Sequence, residues 1–199
     1  MNLLNDLTLQ QIFTRILAYL IFAAAHGIIL AGAATLLGAR APRQAGRLTP
    51  NPMAHLSLWG LVMSIMFRIG WILPMQMNGI RRWKLVLCAV ASLIATLALV
   101  PLADLLRPAI LAWIGGTAGA FIALILNEFQ VITVASVVLN ALPLPLLTGR
   151  LFLIAAWPAQ ERRITRAAPV FTVLIVAAML LWLDTGLSAR LLDAIGTGY

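Results

Sequence analysis

Six uncharged stretches, Ile16–Ala39, Leu48–Phe67, Leu85–Ala103, Pro108–Asn127, Phe129–Gly149 and Ala167–Leu183, fill most of the 199-residue chain and leave only short polar segments between them. Each is close to the roughly 20 residues that a helix needs to cross a hydrocarbon core of about 30 Å. Only 10% of the residues are charged and 62% are hydrophobic. A soluble domain carries roughly a quarter of its residues as Asp, Glu, Lys and Arg. The chain therefore reads as an all-α polytopic membrane protein, one membrane domain over residues 1–199 with room for four to six transmembrane helices.

Charge sorts the runs into a topology, because cytoplasmic loops next to spans are enriched in Lys and Arg. Segment 40–84 holds Arg40, Arg43, Arg47, Arg68, Arg81, Arg82 and Lys84 with no acid, and 150–166 holds Arg150, Arg162, Arg163 and Arg166 against Glu161. Both are expected to be cytoplasmic, so an even number of crossings separates them. Leu85–Ala103 then crosses outward, 108–116 forms an outer-face element broken at Gly115-Gly116, and a helix over 117–139 returns. Residues 50–78, bounded by Pro50, Pro52, Gly70 and Pro74, read as a re-entrant segment, where irregular backbone is tolerated because protein covers it. The result is four spans with both termini outside, or five to six if 108–127 crosses separately. Residues 1–15 and 184–199 read as interfacial or frayed ends, the latter amphipathic through Leu187, Leu191 and Leu192.

The net charge of +8 follows from this topology and gives no reason to expect nucleic acid. Cys88 is the single cysteine and can form neither an internal disulfide nor a multi-thiolate metal site. Asp6 and Arg15 precede a first apolar run too long for the h-region of a secretory signal, which spans about 7–15 residues, so that run is expected to stay in the mature chain. Trp59, Trp71, Trp83, Trp113, Trp157 and Trp182 read mostly as interfacial anchors. The small residues around Ala23–Ala25 and Ala31–Ala34 permit close helix approach.

One place has the spacing of metal chemistry without its ligands. A hydrolytic zinc site needs three protein ligands and an open position for water. A His-Glu-x-x-His helix supplies two imidazoles at i and i+4 with a carboxylate base beside them. Residues 26–30 offer His26, Gly27, Ile28, Ile29 and Leu30: one ligand, no base and an inert aliphatic. Residues 139–150, Leu-Asn-Ala-Leu-Pro-Leu-Pro-Leu-Leu-Thr-Gly-Arg, place Asn140, Pro143, Pro145 and Gly149 around Thr148. A lone imidazole does not hold zinc against water, so no zinc and no other cofactor is expected.

With these two segments go Ala45-Gly-Arg-Leu-Thr-Pro-Asn-Pro-Met-Ala-His55-Leu56 and Gly70-Trp-Ile-Leu-Pro74, with Asn78 soon after. In order and spacing over residues 15–155 the chain resembles the compact prokaryotic type of the site-2 protease family of intramembrane metalloproteases, and 156–199 would carry that family's C-terminal helix and tail. The resemblance implies a metal helix, a re-entrant segment and a Pro-broken helix around a site near the cytoplasmic side. Thr148 stands where that family has a zinc-binding Asp, and Gly27 and Leu30 stand where it has the base and the second His. The implied protein is a catalytically inactive relative in a bacterial inner membrane, in contact with the lipid bilayer, that binds another membrane protein as an accessory, assembly or regulatory subunit. Two other readings stay open: a zinc protease with an unusual ligand set, and a binder of a small hydrophobic or redox ligand in the former active-site cavity. His26 and His55 read as buried, hydrogen-bonded residues that could face each other. Glu128, an ionisable group at membrane depth, is expected either to pair with Arg68 or Arg107, as a partner anchor or proton carrier, or to lie at the outer interface.

Overall fold

The computed structural model describes residues 7–77 and 79–184; Asn78, Leu187, Leu191 and Leu192 lie outside the described residues, as does the side chain of Trp182. All regular structure in these residues is helical. Four helices are long and apolar enough to cross a membrane, Leu9–Leu36, Arg82–Ile114, Gly116–Ala141 and Pro158–Leu180, so the chain is a multi-pass membrane protein by helix length and hydropathy.

Helix α1, Leu9–Leu36, starts earlier than the uncharged run predicts. Thr8 accepts from the Gln11 amide and the Gln11 side chain accepts from the Thr8 amide, both at 3.2 Å. This reciprocal pair satisfies two donors that a helix start leaves open, and it brings Arg15 into the helix. Leu9–Arg15 is therefore part of the first span and not an interfacial end. Buried Arg15, Tyr19, Phe22, His26, Leu30 and Ala34 follow one another at i+3 and i+4, a single stripe facing the other helices.

A short helix α2, Ala41–Gln44, and a 3-10 turn, Pro52–Ala54, lead into α3, Leu58–Phe67. At ten residues, α3 rises about 15 Å, too little to span. It stops at Arg68, which adopts left-handed backbone (φ 57°). A non-helical strap follows over 69–77 and buries Trp71, Ile72, Met75 and Met77. Trp71 is thus a core residue and not an interfacial anchor, whereas Trp59, Trp83, Trp113 and Trp157 are exposed.

Helices α4, Arg82–Leu97, and α5, Leu99–Ile114, run on as one 33-residue helix about 50 Å long, offset only at Ala98. Pro101 accounts for the offset: it has no N–H for the Leu97 carbonyl, and its ring presses on that carbonyl. The separate outer-face element expected over 108–116 is instead the continuation of this helix through Pro108. The break comes at Gly115 and Gly116, whose positive φ values of 57° and 55° suit residues without a Cβ. Helix α6, Gly116–Ala141, then turns back along α5 and packs against α1 and α4. Helix α7, Arg150–Ala156, packs on α4. Helix α8, Glu161–Asp184, touches little beyond α7 and α3, through Phe171, Ile175 and Met179 set against Met63, Trp71 and Leu146.

Candidate functional site

His26 lies at the centre of α1 with no solvent exposure. Its ring stacks on Phe22, one turn earlier, with centroids 5.6 Å apart and planes inclined by 5°. Its Nδ1 lies 2.8 Å from Thr96 Oγ1 and its Nε2 lies 2.8 Å from Thr148 Oγ1. The proton positions follow from the neighbours. Thr96 donates its hydroxyl proton to the Ser92 carbonyl at 2.7 Å, so it can only accept from His26 Nδ1–H. Nε2 is then the bare nitrogen of the neutral ring and accepts from the Thr148 hydroxyl. Thr148 Oγ1 is 3.5 Å from Asn140 Oδ1, a far weaker alternative for the same proton. The lone pair with which His26 would bind a metal is occupied by Thr148.

Gly27 is covered by His55. A Cβ built on Gly27 would clash with the His55 ring, 2.7 Å from its Cδ2 and nearer still to Cγ and Nδ1. His55 Nε2 donates to the Thr49 carbonyl at 3.0 Å, which leaves Nδ1 as the bare nitrogen, buried and without a partner among the described residues. Burial holds the His55 imidazole below its usual range; the Thr49 carbonyl opposes this and the charge of Arg47 adds to it. The two histidines are neighbours, as expected, but they share no ligand position: one ring is tied to two hydroxyls and the other fills the space beside Gly27.

Thr148 reaches His26 because of the break after α6. Leu142, which precedes Pro143, is extended (φ −66°, ψ 137°), as a residue before proline prefers. The chain returns so closely that the Gly149 amide donates to the Asn140 carbonyl at 2.8 Å. A Cβ on Gly149 would run into the Leu142 carbonyl, so this position requires glycine. Pro145 is buried under the loop while Pro143 is exposed.

Asn140 ties the break to the strap over 69–77. Its Nδ2 donates to the Gly70 carbonyl at 3.0 Å and to the Ser136 carbonyl at 2.8 Å, and its Oδ1 accepts from the Thr148 amide at 3.3 Å. The Gly70 amide donates to Ser136 Oγ at 2.8 Å. The strap is held further by Tyr19, whose hydroxyl lies 2.9 Å from the Trp71 carbonyl, by Leu73 N–H donating to the His55 carbonyl at 2.8 Å, and by buried Arg150 donating to the Met75 carbonyl. Asn140→Ala is expected to lower stability by about 2 kcal/mol, since it leaves the buried Thr148 amide and Gly70 carbonyl without partners. Thermal unfolding in mild detergent reads this directly; an unchanged midpoint would show that the strap is held without Asn140.

Leu30, Thr148 and Arg150 wall a cavity with Met75 and Leu146. Its volume is about 10 Å³, the lower limit for a single water.

Glu128 lies elsewhere, one element of a buried charge cluster. It is 8% exposed. Arg68 donates to its Oε1 at 3.0 Å and Arg15 Nε approaches its Oε2 at 3.7 Å; Arg15 also donates to the Ile65 carbonyl. Of the two expected counter-ions, Arg68 is found and Arg107 is not: Arg107 pairs with Asp104 at 3.4 Å and reaches Gln130. Arg68 thus pairs with Glu128 from a half-exposed position after α3, and Arg150 is buried at the start of α7.

The sequence reading missed three partners. Thr96 had a signal: Ser92 and Thr96 stand four residues apart in an otherwise apolar helix, on one face. Arg15 had one in Thr8-x-x-Gln11, which extends the helix backward. Tyr19 had none beyond its place in an apolar run. No family model, curated protein or solved structure matches the chain.

Proposed function

We propose that this chain is a non-hydrolytic relative of the site-2 proteases that acts as an accessory, assembly or regulatory subunit, bound to another membrane protein in a bacterial inner membrane with its basic segments on the cytoplasmic side. The observation that carries this reading is the state of His26. Its two nitrogens are taken up by Thr96 and Thr148, and the neighbouring position where a base would stand is roofed by His55. The meeting of the four resembling segments around α1 supports the family reading. Asn140 touches Gly70, Thr148 touches His26, and His55 covers Gly27.

A cavity of about 10 Å³ weighs against a ligand carrier, because small-molecule sites run to several hundred Å³ (about 300–1,000). With hydrolysis at His26 and ligand capture in the cavity beside Thr148 both disfavoured, the retained scaffold is left to serve protein contact. Mass spectrometry of the chain isolated from native membranes in mild detergent tests this. The expected result is a stoichiometric membrane-protein companion that survives purification. Quantitative recovery as a lone monomer would refute the subunit role.

A further inference from the structure

Where α8 begins, Glu161, Arg162, Thr165 and Arg166 form, with Gln76 of the strap, a cleft of about 470 Å³. Arg162 and Arg166 are exposed, and among the described residues neither enters an ion pair. Further along the same helix, exposed Val170, Val173 and Leu174 stand at i+8, i+11 and i+12 from Arg162. At 100° per residue these five side chains fall within an arc of about 120°. One face of α8 thus carries two guanidinium groups at its start and an apolar stripe below them.

Pro169 adds an acceptor to this face. It lies inside α8 and has no N–H to give the Thr165 carbonyl, which is thereby left open at the cleft. Glu161 supplies acceptor oxygens as well, and its negative charge disfavours a ligand of high charge.

We propose that this cleft binds one bilayer lipid with a phosphodiester and a hydroxylated headgroup, of the phosphatidylglycerol type. Arg162 and Arg166 hold the phosphate. The headgroup hydroxyls donate to the Thr165 carbonyl and Glu161, with Gln76 donating from the opposite wall. The acyl chains lie along Val170, Val173 and Leu174. The apolar stripe favours a lipid over a soluble anion, since only a lipid uses both halves of the face. This inference is independent of the protease resemblance.

Native mass spectrometry of the full chain in mild detergent, titrated with phosphatidylglycerol, provides the test. A one-to-one adduct is expected, weakened about fivefold for each guanidinium removed and roughly 25-fold in Arg162→Gln/Arg166→Gln. Arg43→Gln, at an exposed arginine outside the cleft, should bind as the unaltered chain does, and phosphatidylcholine with the same acyl chains should give no comparable adduct. Full binding by the double variant, or an equal loss in Arg43→Gln, would overturn the site in favour of diffuse attraction. Equal competition by free glycerol phosphate would overturn the lipid and assign a soluble phosphate.

Discussion

Gly27→Glu is expected to leave little or no stably folded protein. The carboxylate side chain would have to enter space that the His55 ring already fills, in the middle of α1 and among fully buried neighbours. Overpacking of this kind typically costs about 1–3 kcal/mol. An unpaired buried carboxylate adds about 3–5 kcal/mol by analogy with broken buried pairs. Restoring the residue that a hydrolytic helix would carry here therefore damages the fold instead of rebuilding a base. Gly27→Ala isolates the packing component and should cost about 1–3 kcal/mol. Combined with His55→Ala, its penalty should largely vanish, a coupling that a double-mutant cycle measures by thermal unfolding in detergent. A Gly27→Glu protein with unaltered stability would show that His55 does not sit over Gly27.

Removing Glu128 is expected to have the next largest effect. Glu128→Ala leaves Arg15, itself 7% exposed, without its counter-charge, and breaking one side of a buried pair costs about 3–5 kcal/mol. Arg68 contributes less, because its side chain is 41% exposed and regains solvent. Asp104→Ala is the control: the Asp104 side chain is 61% exposed, and loss of an exposed pair should change stability by no more than about 1 kcal/mol. Replacing both ends of the buried pair, as Arg15→Met with Glu128→Leu, should recover much of the loss, since the stranded charge is then gone. If Glu128→Ala and Asp104→Ala were equally mild, the Arg15–Glu128–Arg68 cluster would be solvated and not buried.

The helices were legible in the sequence because membrane length and hydropathy are local properties of a chain. Four spans and the Gly115-Gly116 break follow from run length and glycine placement, while the short helix over 58–67 lies within the segment 50–78 that flanking prolines and glycine mark as folded. The starts of helices were less legible. The outermost turn of α1 is set by the cap at Thr8, not by hydropathy, and charge counting placed Arg15 outside the span for that reason. Arg68 was legible as a candidate partner of Glu128, whereas nothing local showed that the Arg150 guanidinium reaches the Met75 carbonyl. Such pairings depend on which helix faces come together, and no window of one segment contains that information.

The candidate site was legible in its identities and illegible in its bonding. His26, Gly27 and Leu30 could be singled out from metal-helix spacing, and Thr148 from the resemblance to the site-2 proteases. That Thr148 would cap the free nitrogen of His26, with Thr96 fixing the opposite one, depended on α4 and the loop after α6 reaching the same point of α1. Thr148 thereby serves as a hydrogen-bond donor to the bare nitrogen of neutral His26.

Zinc content per chain, measured on protein taken from native membranes in mild detergent, tests the closed state of His26 most directly. The arrangement of Thr96, His26 and Thr148 predicts zinc far below one per chain, with no change in His26→Ala. One zinc per chain, lost in His26→Ala, would contradict it and make His26 a metal ligand.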